Sequence, residues 1–150
     1  MNKTAVVSGI SEYLIKKINQ LNHEIDQLRI DISSDSKSTA GDKHETSRAM
    51  AQLEMEKIGK QIQDYQKQHQ WLLQMTNSDD KTESCIKIGS LIQLSNSWYL
   101  LGIGLGKIEL SNGSIFCISA QSPIGQQLLN KQIGDEIFLQ DITLSILQTC

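Results

Sequence analysis

The chain has 150 residues, with 14 Lys and Arg against 17 Asp and Glu and a formal net charge of −3. Such a length suits one ordinary domain or two small units, and the charge excludes a basic nucleic-acid clamp. No apolar run approaches the ~20 residues of a membrane span, and the opening Met1–Ser8 stretch is too short for a secretory core, so a cytoplasmic, non-membrane protein is expected.

From Leu14 the apolar positions form a helical seam. Leu14, Ile18, Leu21, Ile25, Leu28 and Ile32 are separated alternately by four and three residues, the a/d repeat of a coiled coil. The segment Ser33–Gly41, rich in Ser, interrupts the repeat because short hydroxylated side chains favour local turns. The seam then resumes through Ala51, Met55, Ile58, Ile62, Tyr65, His69 and Leu72. Each helix covers about 24 residues and about 36 Å. Two similar seams on either side of a short turn predict an antiparallel hairpin over residues 1–77, with its tip near 33–46. An intermolecular coiled coil is the alternative. Closure of the seam within one chain implies a monomer. At position 69, His reads as a packing residue rather than a ligand.

Thr76–Thr82 is a polar linker. Beyond it the period changes to two. Ile86 with Ile88, Leu91–Leu94, Trp98–Leu105, Ile115–Ile118, Ile137–Leu139 and Ile142–Leu147 read as strands, and Ser111-Asn112-Gly113-Ser114 as a hairpin turn. One helix interrupts them: Ser122 is its N-cap, Pro123 fits its first position, and Ile124, Leu128 and Leu129 form its apolar side, with Gly134 following. The fold class is therefore α+β: an N-terminal antiparallel helical hairpin followed, over residues 78–150, by a small curved antiparallel sheet with one helix.

Cys85, Cys117 and Cys150 lie far apart and suggest neither zinc spacing nor a disulfide framework. They read as small apolar residues, with Cys150 a mobile end thiol.

The residues after the turn are Gly41-Asp42-Lys43-His44-Glu45-Thr46. Asp42 and Glu45 are three apart at the start of the second helix and so share its first turn. Two carboxylates at that spacing suit one hard cation such as Mg²⁺, which takes oxygen ligands and retains several waters. Alone they hold it weakly, so a partner has to supply the rest. The structural alternative is helix capping, with Asp42 as N-cap and Glu45 in a capping-box arrangement.

These residues carry a resemblance to a known family. Gly41–Thr46 is similar to the tip motif Gly-Asp-Leu-Ser-Glu-Asn of the Gre family of bacterial transcription elongation factors. The run from Ser122-Pro123-Ile124-Gly125 to Gly134-Asp135-Glu136-Ile137 resembles that family's Ser-Pro-Ile-Ala-x-Ala-Leu-x-Gly-Lys-x-x-Gly-Asp-x-Val run. The likeness extends over nearly the whole chain. It implies an FKBP-like carboxy-terminal domain and a hairpin inserted into the secondary channel of RNA polymerase, near the nascent RNA 3′ end. Asp42 and Glu45 would be the catalytic and metal-holding pair, sharing Mg²⁺ with the polymerase and stimulating cleavage of backtracked transcripts. Lys43, His44, Ser122, Pro123 and Ile124 would be partner-binding. The chain would then be an accessory factor rather than an enzyme.

Lys43, His44 and Thr46 replace the family's Leu, Ser and Asn. Lys43 adds like charge beside the cation position, so the resemblance also implies an alternative, a channel-binding regulator without cleavage. Gly125 and Asn130, in place of the family's Ala and Gly, read as small changes at a helix surface and end. A peptidyl-prolyl isomerase is disfavoured, since Trp98 and Tyr99 adjoin on one strand and point to opposite faces.

Overall fold

The computed structural model describes residues 1–35, 41–76 and 85–150, without the side chains of Asp35, Asp42 and Thr76. The expected turn residues 36–40 and most of the expected linker lie outside the described residues. Two long helices come first, α1 (Lys3–Asp35) and α2 (Gly41–Thr76). After them come strands β1 (Leu91–Leu94), β2 (Trp98–Leu101), β3 (Gly106–Leu110) and β4 (Gly113–Ile118), helix α3 (Pro123–Leu128), and strands β5 (Glu136–Leu139) and β6 (Ile142–Thr149). None of the described helices is long and apolar enough to cross a membrane.

Both long helices exceed the expected 24 residues, at 33 and 36 residues, or about 50 Å each. At the start of α1 the Asn2 side chain accepts the Ala5 N–H at 3.3 Å, and Val7 and Ile10 continue the seam upstream of Leu14. At its end Ser33 and Ser34 do not break the helix. Their hydroxyls donate to the carbonyls of Ile30 and Asp31 at 2.7 and 2.9 Å, a back-bonding that a helix accommodates on its exposed side.

Contacts divide the chain into two units, Ser11–Trp71 and Met1–Ile10 with Leu72–Cys150. In the first, the seam residues from Ile18 to Ile32 and from Ala51 to His69 are buried or half-buried, while their neighbours Asn19, Asn22, Asp26, Glu54, Lys57 and Gln61 are exposed. The pairing is antiparallel and within the chain: the Ser11 hydroxyl bonds His69 Nε2 at 2.6 Å, and Leu28 and Ile32 share a cavity with His44, Arg48 and Ala51.

The second unit is a six-stranded sheet in the order β3-β4-β2-β1-β6-β5. It corrects the expected antiparallel sheet to a mixed one, because β2 pairs parallel with β4 from Trp98↔Ile115 to Leu101↔Ile118. The chain reaches that arrangement by placing β3 outside β4. The expected single strand Trp98–Leu105 stops at Leu101: Gly102 takes φ 147° and Gly106 φ 72°, positive values that a bulky L-residue does not adopt readily. Ile86 and Ile88 lie outside any strand. The hairpin turn reduces to the two residues Ser111 and Asn112 between paired Leu110 and Gly113, with Gly113 at φ 123°.

The sheet buries residues on both faces. Ile92, Leu94, Tyr99, Leu101, Ile137, Leu144 and Ile146 form one core with Ile86 and Leu128, and Phe116, Ile118, Ile124 and Leu129 pack around it. The alternate residues Leu91, Leu100, Ile108, Ile115 and Cys117 are buried as well. Val6, Val7, Ile10 and Leu72 are buried within the same unit, and Leu110 packs against Gly9. The ends of both long helices therefore belong with the sheet, and the compact units divide the chain within the helices rather than after residue 77. Burial pushes the Cys117 thiol from 9.0 up to about 12, which keeps it neutral and unreactive. Cys150 is exposed, but its backbone exchanges hydrogen bonds of 2.7 and 2.9 Å with Leu91, so the chain end is held.

Candidate functional site at the turn end of the hairpin

Helix α2 begins at Gly41, which places Asp42 inside the first turn rather than at the cap. Position 45 lies one turn further on, as the spacing predicts. Lys43, Glu45 and Thr46 are exposed, while His44 is half-buried. His44 precedes Ala51 by two turns and so extends the seam toward the turn, which explains its burial. It lines the wall between the helices instead of standing out from the tip.

That wall encloses a cavity of about 270 Å³, lined by Leu28, Asp31 and Ile32 of α1 and by His44, Glu45, Ser47, Arg48 and Ala51 of α2. Its floor is apolar and its rim carries both charge signs. The sequence reading missed Asp31 and Arg48. Their signal was the seam itself, since Asp31 adjoins Ile32 and Arg48 lies one turn before Ala51. Both reach the groove only once the two seams are set in antiparallel register.

Among the described residues no group of three or more His, Cys, Asp or Glu side chains is gathered as a metal site. Positions 42 and 45 fall within one turn of α2, and of the described side chains there Lys43, Glu45 and Arg48 are exposed.

The other expected partner-binding residues lie in the sheet unit. The Ser122 hydroxyl donates to the Ser119 carbonyl at 2.6 Å and accepts the Gly125 N–H at 3.1 Å, so it is engaged as the α3 cap. Ile124 packs against the core. Pro123 is exposed at the first helical position. Buried Tyr99 stacks on half-buried Phe116 with centroids 5.2 Å apart.

Gly125 and Asn130 turn out to have definite roles. A Cβ at Gly125 would overlap the Ser119 carbonyl oxygen and lie 3.0 Å from the Ala120 Cα. Asn130 takes φ 65° just after α3, the left-handed conformation that Asn tolerates better than most side chains.

No family model matches the chain, and no curated protein is found similar to it. Among solved structures it is similar to GreA factor homolog 1 (Gfh1) of Thermus thermophilus, at 15% identity over 93% of this chain and 94% of that one, with a TM-score of 0.36. It is also similar to Thermus aquaticus Gfh1, at 16% identity over 92% of each chain, with a TM-score of 0.34.

Proposed function

We propose that this chain is a Gre-like transcription factor that binds RNA polymerase, enters its secondary channel with the hairpin and stimulates cleavage of backtracked transcripts. The observation that carries the reading is the antiparallel register that brings Leu28, Asp31 and Ile32 alongside Glu45 and Arg48, so that Asp42 and Glu45 occupy the turn end of a long two-helix element. The tip and Ser122–Ile137 motifs support it from the sequence side. In this reading the chain is an accessory factor and not a stand-alone enzyme.

The division of labour follows from the donor set. Asp42 and Glu45 present carboxylate oxygens to a Mg²⁺ shared with the polymerase, raising the occupancy of a weakly held ion. That ion, when bound, supplies charge stabilisation to phosphoryl transfer. The helix fixes the spacing of the pair, and His44 and Ile32 pack the wall behind it. Lys43 and Arg48 bring opposing charge that lowers cation affinity and suits contact with phosphate oxygens. That same charge favours a second reading, a channel-binding regulator without cleavage.

The test is a stalled, backtracked polymerase complex with labelled RNA. Added protein is expected to shorten the RNA in a Mg²⁺-dependent manner, and Asp42→Ala with Glu45→Ala to abolish the shortening. Inhibited elongation with intact RNA would establish the regulator instead, and failure to bind polymerase would end both readings.

A further inference from the structure

The two outer strands of the sheet are finished differently. On β5, Gln127 donates from Nε2 to the Phe138 carbonyl and accepts the Phe138 N–H on Oε1, both at 2.8 Å. A side-chain amide thus takes the place of a further strand at Phe138 and blocks pairing there. On β3 no such cap is found among the described residues. The two-residue loop makes Leu110 and Gly113 a hydrogen-bonded pair, and the alternation then gives Ile108–Ile115 and Gly106–Cys117 the same status. Lys107 and Glu109, opposite Phe116 and Ser114, therefore turn their N–H and C=O groups away from β4. The Gly102 N–H bond to the Ile118 carbonyl at 2.7 Å agrees with this parity, because even-numbered residues of β4 bond toward β2. Lys107 and Glu109 are exposed, and their side chains pair with each other at 2.7 Å.

We propose that β3 is a self-pairing edge through which two copies of this chain associate. The two β3 strands run antiparallel about a two-fold axis at Ile108, and the sheets of the two copies become continuous. In that register Lys107 of one copy stands opposite Glu109 of the other, and the reverse. Each outward N–H and C=O then finds a partner, and the four charges alternate in sign. Charges on an edge strand ordinarily deter pairing. Here their order, cation then anion on either side of a central residue, is self-complementary, and that selects a second copy over a strand of single charge. The Ile108 side chain is buried within its own subunit, so backbone bonds and charge carry the association. A contact of one short strand is small, and a dissociation constant on the order of 0.1 mM is expected. The hairpin still closes within each copy, but the association replaces the monomer expected from the seam by a weak dimer at high concentration.

Sedimentation of the full chain from about 10 μM to about 1 mM tests the proposal, with amide exchange read at Lys107 and Glu109. Dimer is expected to form across that range, with exchange slowing at those two amides and not at Ser111. Lys107→Glu and Glu109→Lys are each expected to weaken association at least about tenfold by placing like charges opposite one another. The double exchange Lys107→Glu with Glu109→Lys is expected to restore it. A monomer throughout, a dimer indifferent to the single reversals, or a double exchange that fails to restore it would each overturn the proposal. None of these readouts involves polymerase, so the outcome is independent of the function proposed above.

Discussion

Two positions in the Ser122–Ile137 run show how much the backbone alters the meaning of a residue. Gly125 and Asn130 both depart from the family motif that the run resembles, and by type alone both are minor. The backbone separates them. Gly125 sits where the chain doubles back against Ser119 and Ala120, and a methyl group has nowhere to go. Asn130 holds φ 65°, where losing the side chain relieves strain. Substitutions toward the motif should therefore have opposite signs. Gly125→Ala is expected to destabilise by about 1–3 kcal/mol through overpacking. Asn130→Gly is expected to be neutral or stabilising by less than about 1 kcal/mol. Denaturant unfolding of the two variants against the parent chain checks both, and a stable Gly125→Ala would mean that the Ser119 turn yields easily.

At the scale of elements, what was legible in the sequence was what depends on periodicity. The seam residues named from spacing are those withdrawn from solvent, and the Ser122–Pro123 cap and start of α3 fall where their chemistry puts them. The helix ends were not legible, because Ser33 and Ser34 can satisfy their hydroxyls within the helix as readily as in a turn. The parallel pairing of β2 with β4 was hidden for another reason: neighbours in a sheet need not be neighbours in the chain, and alternation is the same in either direction. Near the turn, the one-turn separation of positions 42 and 45 was readable from spacing, whereas the place of Asp31 and Arg48 in the groove needed the register between helices. That register has a polar pin. Ser11 bonds His69 at 2.6 Å beside apolar seam positions, as polar residues do in coiled coils that must choose one alignment. Ser11→Ala leaves a half-buried ring nitrogen without its partner and is expected to cost about 1–2 kcal/mol. Adding His69→Leu is expected to recover most of the loss. A double-mutant cycle by thermal unfolding measures the coupling, and additive losses would show that the bond contributes little.

For the molecule as a whole, charge is divided as sharply as structure. Residues 1–77 carry ten basic and ten acidic groups, and residues 78–150 carry four and seven. The hairpin is neutral in sum but holds its charges in local clusters, as at Asp31, Glu45 and Arg48. Under the proposed function, affinity for polymerase comes from area and shape spread over many residues, since most of a protein–protein interface is complementarity. Chemistry comes from two carboxylates. Removing them changes little area but withdraws the donors on which the shared cation depends. The Asp42→Ala, Glu45→Ala variant should therefore bind polymerase within about threefold of the parent chain, since small changes outside hot spots cost little, while losing transcript shortening. Added in excess to a reaction containing the parent chain, it should compete for the same polymerase and suppress shortening in proportion to occupancy. Binding is read by fluorescence anisotropy of labelled protein and shortening by gel. A variant that lost affinity and shortening together would assign the carboxylates to docking rather than to the cation, and would shift the balance to the regulator.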